Sequence, residues 1–375
     1  MVLFGLIILF VALVALQRLV YSRFWSRHLT VDLIFSAKTG AEGGSIKLTE
    51  VITSRKALPL PWLTVKFQVS RHLVFSDKLH ATITDDYYRE DLFSLGMYQR
   101  ISRTLPVIMK KRGYYTIKSI DLVSSDLLLT RKLVDHARSH SVLTVCPRLI
   151  PREDFAVPYS QIMGEILART ALLPDPFEFR GIREYQGFDT LRSINWLATA
   201  RSGSLKVNVH EYTASRDVIV LLNVEPDGAF FEEELLEEGI RIAATLCDSL
   251  IHEGVSCGLI SNARDIITGE TIDIATGQSG QHIQQIQEQL GRLDLTRKPE
   301  PFAPMLMQRG FSSYRDPVLL MVSINCSDDI CRSWSDCLSR VHAGLWILPR
   351  YADRHDRLPD TEHPTLCWEV KRRAR

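Results

Sequence analysis

The sequence predicts an α+β protein built in parts: an N-terminal membrane helix, an antiparallel β-sandwich, and then a doubly wound α/β domain. Three observations carry this. Val2 to Leu16 is an unbroken apolar run. Residues 29–151 hold short β-branched and aromatic segments separated by Gly, Pro, Ser and Asp. From Asp217 onward, continuous apolar runs alternate with amphipathic helical periods.

The apolar run reads VLFGLIILFVALVAL and extends to Tyr21 if Gln17 and Arg18 snorkel toward the headgroups, giving an anchor over residues 1–21. No Lys or Arg precedes it and no clear small-x-small cleavage site follows, which favours an anchor over a cleaved signal peptide. Arg18, Arg23 and Arg27 lie just beyond the run. By the positive-inside rule the expectation is a single-pass protein of the inner (cytoplasmic) membrane with its soluble parts in the cytoplasm. Tyr21 and Trp25 are expected in the membrane interface. The 375 residues suffice for two further domains, and 45 basic against 44 acidic residues give a net charge of +1, which argues against a dedicated nucleic-acid surface. The seven cysteines (Cys146, Cys247, Cys257, Cys326, Cys331, Cys337, Cys367) are scattered without a C-x-x-C pair. They fit a reducing compartment and read as small buried apolar residues.

In the second part, residues 29–151, strands are expected at Thr30–Ser36, Ser45–Thr53, Leu63–Ser70, Leu79–Thr84, Met97–Leu105, Tyr115–Leu122 and Val142–Cys146, spaced as in a sandwich. The basic cluster Lys110-Lys111-Arg112 reads as a solvated turn, with anionic-lipid contact as the alternative. Residues 152–204 form a connector. It opens with an amphipathic helix, roughly Tyr159 to Leu172, stopped by Pro174 and Pro176.

The rest of the connector, from Phe177, sets Glu178, Arg180, Arg183, Glu184, Asp189, Arg192 and Arg201 among Phe177, Phe179, Tyr185 and Trp196. Charges drawn inward by aromatic rings need partners, so this reads as an ion-paired loop leading into a short helix. Asp189 is the expected N-cap of a helix from Thr190, with Leu191, Ile194, Leu197 and Ala198 on one face and Gly203 at its end. A strand, Leu205 to Val209, is expected next. The run Glu178-Phe179-Arg180, Arg183-Glu184-Tyr185, Gly187, Asp189, Arg192, Ile194, Trp196, Ala200-Arg201 resembles the signature of the bacterial domain-of-unknown-function 58 family. Ile182 stands where that family usually has Leu, and Asn195 where Asp is common. Leu58-Pro-Leu-Pro-Trp62-Leu and Lys110-Lys-Arg-Gly113-Tyr resemble two further landmarks, whereas Ser124-Ser-Asp126-Leu-Leu-Leu129 retains only the start of an SSDPFGL-like loop.

Residues 205–375 read as the α/β domain. Its expected elements are strand Asp217–Val224, helix Phe230–His252, strand Ser256–Ser261, helix His282–Leu293, strand Pro317–Ile324, helix Asp328–Val341 and strand Gly344–Leu348. Pro301 to Phe311 reads as an irregular loop. Together with the resemblance, this pattern looks like a von Willebrand factor A-like, Rossmann-type domain, whose ligands bind at the topological switch point. In metal-binding members of that fold the first strand ends in Asp-x-Ser-x-Ser, which offers short oxygen ligands to a divalent cation. Here Asn223, Glu225 and Asp227 occupy those positions, and Ser323-Ile324-Asn325 stands where Thr-Asp is expected. The expectation is a degenerate, metal-free interaction surface, with no cofactor.

No phosphate-binding loop, H-E-x-x-H or G-x-S-x-G motif is present in the sequence. Two functions of different class remain. The first is a non-enzymatic adaptor; the resemblance implies a MoxR-type AAA ATPase and a transglutaminase-like membrane protein as partners, and a role in assembly or maturation of cell-envelope or other complexes. The second is a hydrolase using Glu178, Asp189, Tyr185 and His210. Carboxylates matched by Arg180, Arg183, Arg192 and Arg201 have lowered pKa values unsuited to a general acid, which favours the adaptor and a structural clamp built from Glu178, Arg180, Arg183, Tyr185, Asp189, Arg192, Trp196 and Arg201.

Overall fold

A computed structural model of the protein describes residues 2–75, 81–83, 86–170, 179–184, 194–210, 217–228, 232–311, 313–341, 343–353, 359 and 363–372. Side chains are described for all of these but 2, 81–87, 157, 165–170, 179–184 and 208–210. The chain divides into two units, residues 1–148 with 287–293, and residues 149–286 with 294–375.

In the first unit, helix α1 (Val2–Phe24) precedes ten strands: β1 (Leu29–Phe35), β2 (Thr39–Ala41), β3 (Ser45–Ser54), β4 (Leu60–Ser70), β5 (Leu73–Phe75), β6 (Ala81–Ile83), β7 (Asp86–Leu95), β8 (Arg100–Met109), β9 (Gly113–Ser125) and β10 (Lys132–Cys146). They form two sheets, ordered β1-β3-β8-β5 and β2-β10-β9-β4-β7-β6. Alternation along each strand turns Leu48, Ile52, Val65, Phe67, Leu105, Val107, Ile117 and Ile120 into one shared core.

One helix among the described residues, Leu3–Phe24, is long and apolar enough to cross a membrane, and its apolar side chains from Leu3 to Leu16 are largely exposed. The interface position expected for Tyr21 and Trp25 is not what the structure gives them. Tyr21 and Trp25 are buried within the sandwich core, and the Tyr21 hydroxyl donates to Pro59 O at 2.9 Å. Lys56 Nζ donates to Phe24 O at 3.4 Å and to Trp25 O, capping carbonyls that the helix end leaves without intrahelical partners. Arg112 is likewise buried rather than solvated: it donates to Leu290 O and Leu293 O of the same unit at 3.1 and 2.9 Å.

Between the sheets lies a charged cluster. Arg89 meets Asp91 through Nε (2.5 Å) and Nη2 (3.1 Å), Arg103 Nη1 reaches Asp91 at 2.8 Å, and the Arg89 guanidinium lies 5.1 Å from the Phe75 ring centre. Glu50, on β3 opposite Arg103, is almost fully buried beside Asp91. Burial first, and then the Asp91 charge, push its carboxyl up to about 8.

The second unit contains α2 (Arg152–Thr170), β11 (Phe179–Glu184), α3 (Trp196–Ser202), β12 (Lys206–His210), β13 (Asp217–Leu222), α4 (Glu233–His252), β14 (Ser256–Asp265), β15 (Thr271–Gly277), α5 (Gly280–Arg292) as far as Ile286, β16 (Leu293–Asp294) from Asp294, α6 (Phe302–Gln308), β17 (Val318–Val322), α7 (Asp328–Arg340), β18 (Ala343–Tyr351) and β19 (Thr365–Val370). Helix α2 starts seven residues before the expected Tyr159 and carries Pro158 inside it. The stretch expected as an irregular loop contains α6, because Pro304 falls in the first turn, where no N–H is required.

The principal sheet runs β15-β14-β13-β17-β18-β19, with β14, β13, β17, β18 and β19 parallel and β15 antiparallel at one edge. Strand β13 is buried at all six positions. Ile219 and Leu221 face Phe302, Leu306 and Trp334 from α6 and α7. Leu222 and Val322 face α4 on the other side, packing beside Gly239.

Candidate interaction site at the ends of β13 and β17

The order of the parallel strands reverses between β13 and β17, so the loops at their carboxyl ends flank the topological switch point, where this class of sheet binds its ligands. Asn223 follows β13, is 2% exposed, and uses both ends of its amide. Its Nδ2 donates to Ser323 Oγ at 3.0 Å, while Oδ1 accepts from Asn262 Nδ2 (3.0 Å) and Glu225 N (2.9 Å). Asn262 also donates to Glu300 O at 2.9 Å and accepts from Val224 N at 3.0 Å. The Ser323 hydroxyl donates to Asn325 O at 3.2 Å, and Asn325 Oδ1 accepts from Ser327 N at 2.9 Å, ahead of α7. Trp346 Nε1 closes the rear by donating to Ser323 O at 3.1 Å.

These groups are neutral, and each satisfies another. Where a cation site would place a short carboxylate with free lone pairs, the Asn223 oxygen already accepts twice. Glu225 is half-buried and accepts from Phe302 N at 3.3 Å. Burial raises its carboxyl, against the opposing pull of that N–H and of Lys298. Asp227 is exposed. Among the described residues, no group of three or more His, Cys, Asp or Glu could hold a metal. The arrangement is suited to presenting rigid loops, since its polar groups are held by one another.

Asn262 and Glu300 are not among the residues expected from the sequence, where the apolar run that marks β14 stops at Ser261. The signal was there: Ser261-Asn262 follows the apolar core of a strand adjacent to β13, at the same carboxyl edge as Asn223.

The signature region folds differently from its expectation. Strand β11 carries Arg180 and Arg183 and pairs antiparallel with β12, which ends at His210. Glu178, Tyr185, Asp189 and Arg192 lie outside the described residues. Helix α3 begins at Trp196 rather than Thr190, and its N-cap is Asn195, whose Oδ1 accepts from Ala198 N at 2.9 Å, not Asp189. The Asn found where Asp is common thus keeps the capping oxygen. Gly203 ends the helix as expected, at φ 69 with its N–H on Thr199 O. Of the predicted buried face only Ile194 is buried, bridged to Val207; Leu191 lies outside the described residues. Trp196 and Leu197 are 67% and 68% exposed, Leu205 is 44% exposed, and Arg201 is exposed beside them in sequence. Trp196 is therefore not a member of an inward aromatic cluster.

Residues 181–360 match the family model described as protein of unknown function DUF58. The match supports the DUF58 resemblance carried by the signature. No curated protein matches the chain. Among solved structures, domains D2 and D3 of the major pilin SpaD from Corynebacterium diphtheriae align at 9% identity over 29% of this chain and 50% of the pilin chain, with a TM-score of 0.23. A non-cellulosomal cohesin from Archaeoglobus fulgidus aligns at 9% identity over 35% of this chain and 98% of its own, with a TM-score of 0.21. Likenesses this slight bear on neither the fold nor the function of the DUF58 region.

Proposed function

We propose that this protein is a membrane-anchored adaptor without an enzymatic activity of its own, and that its C-terminal α/β unit is a von Willebrand factor A-like docking domain. The sheet order, with one antiparallel edge strand beside a reversal between β13 and β17, supports the A-like reading. The observation that carries docking is the exposed face of α3. This seven-residue helix buries none of its side chains and presents Trp196 and Leu197, with Leu205 beyond its cap. A rigidly capped helix showing Trp, Leu and Arg to solvent has the composition of a protein-binding hot spot. The partners implied by family resemblance are a MoxR-type AAA ATPase and a transglutaminase-like membrane protein, in assembly or maturation of cell-envelope or other complexes. The apolar run of α1, followed by Arg18, Arg23 and Arg27, supports a single span of the cytoplasmic membrane with the soluble units in the cytoplasm.

The test is a binding assay between the full chain in detergent and a purified MoxR-type ATPase from the same organism, with and without nucleotide. Trp196→Ala should weaken binding by roughly 30-fold or more, as hot-spot truncation does, and leave the melting temperature unchanged because the ring is exposed. No binding by the unaltered chain in either nucleotide state, or equal binding by the variant, would overturn the proposal.

A further inference from the structure

The turn between β9 and β10 exposes three consecutive leucines: Leu127, Leu128 and Leu129 are 50%, 53% and 60% exposed. Their backbone is held firmly. Buried Asp126 accepts from Thr130 N at 2.6 Å, from Arg131 N at 3.0 Å and from the Thr130 hydroxyl, and its carbonyl accepts from Leu129 N at 3.0 Å. Leu129 sits at φ 55, a left-handed conformation that costs a non-glycine residue stability. A polar turn residue would fill that position more easily, and hydrophobic side chains outside would then be needless.

The position of the tip suggests its use. Arg18 Nε donates to Thr130 Oγ1 at 3.0 Å, so the tip lies level with the end of the apolar run of α1, which closes at Leu16. Trp62 joins the same edge: it is 45% exposed, and its carbonyl accepts from Ser124 Oγ at 2.8 Å. Arg131 and Lys132 follow the leucines and are exposed. Val2–Leu16 alone spans about 22 Å of helix against a hydrocarbon core of about 30 Å, so the edge of the sandwich is drawn toward the lipid.

We propose that Leu127, Leu128 and Leu129 form a wedge that inserts into the bilayer beside α1, with Trp62 at the headgroup level and Arg18, Arg131 and Lys132 on lipid phosphates. This rests on the reading of α1 as a membrane span. The bilayer is chosen over a protein partner because Arg18 ties the tip to α1 directly after its exposed apolar turns, and because Trp62 and the exposed Arg131 and Lys132 adjoin the leucines, the residue types of a membrane interface.

The test places a photoreactive benzophenone side chain, one position at a time, in the full chain reconstituted in nanodiscs of phosphatidylethanolamine and phosphatidylglycerol. The positions are Phe10, Leu128, Trp62 and, as control, Lys110, which precedes the opposite end of β9 from the tip. Lipid adducts are expected at Phe10, Leu128 and Trp62 and not at Lys110. The adduct at position 62 should be lost when Leu127, Leu128 and Leu129 are all serine, with the melting temperature unchanged. Adduct at Phe10 without adduct at Leu128 overturns the wedge and leaves the anchor. Adduct at neither overturns both. A protein adduct at Leu128 makes the tip a protein-binding face, and adduct at Lys110 equal to that at Leu128 makes the contact unspecific; either result overturns the wedge.

Discussion

Replacing Glu50 by glutamine isolates what the buried charge cluster of the sandwich does to stability. Neither Glu50 oxygen has a donor while ionised, and the Asp91 carboxylate beside it, already held by Arg89 and Arg103, can only accept. A proton on Glu50 converts that repulsion into a hydrogen bond to Asp91, and burial with the neighbouring charge moves its carboxyl up to about 8. The folded state therefore keeps a proton that the unfolded chain releases near the ordinary carboxylate value. This contribution is complete below that value and is lost as the pH rises through about 8. Across that window the unaltered protein should lose roughly 1.4 kcal/mol for each pH unit relative to Glu50→Gln, on the order of 4 kcal/mol in all. The glutamine amide donates to Asp91 at every pH, so the variant should not show this loss. Urea melts of both proteins in the same detergent, at intervals from pH 5 to 9 and read by tryptophan fluorescence, give the difference directly. Parallel stability profiles would refute the claim that Glu50 is protonated in the fold.

Asn223→Ala should lower stability by about 1–3 kcal/mol, because Ser323 and the Asn262 amide each lose a buried partner; an unchanged urea midpoint would refute the network. Magnesium, calcium and manganese should leave the melting temperature unchanged. A stabilisation near 2.7 kcal/mol at a hundredfold excess over the dissociation constant, abolished in Glu225→Ala, would instead establish a cation site. Trp25→Ala should cost about 3–5 kcal/mol through the cavity left in the sandwich, and Tyr21→Phe about 1 kcal/mol through the hydrogen bond to Pro59 O. A melting temperature insensitive to Trp25→Ala would refute the docking of the helix end.

Strands and helices whose burial follows sequence period were legible, and those fixed by partners were not. Val318–Val322, five apolar residues all buried, was recognisable because no other environment suits it. Strand β7 reads DYYREDLFSL and carries no apolar alternation at Arg89 and Asp91, which point inward as though they were apolar because their mutual pairing and that with Arg103 satisfy the buried charges. The first half of β10 was missed for the converse reason: Val134 faces out among polar neighbours, so no apolar alternation marks it. At the switch point the altered triplet was visible in the sequence. The network was not, because Asn223, Asn262 and Ser323 are brought together only by the parallel register of β14, β13 and β17. The helix of the signature was foreseen, but its cap was assigned to Asp189 when Asn195 offers the same oxygen immediately before the first helical residue.

The burial of Tyr21 and Trp25 changes what an N-terminal anchor does in this chain. Were the span joined to the sandwich by a loose linker, the domain would tumble below the membrane and an exposed leucine tip would only be a solubility cost. Here the helix runs without a break from its exposed apolar turns into the sandwich core, where Lys56 binds its terminal carbonyls and Arg18 fastens it to the β9–β10 turn. A helix held at three points along its last two turns cannot pivot independently of the sheet it enters. With α1 as the proposed span, its tilt in the bilayer sets the orientation of the whole sandwich, and the three leucines meet the lipid at a fixed depth rather than by chance encounter. Weakening that joint with Trp25→Ala should then reduce lipid adduct at Leu128 while leaving adduct at Phe10 intact, which separates a rigid stalk from a simple tether.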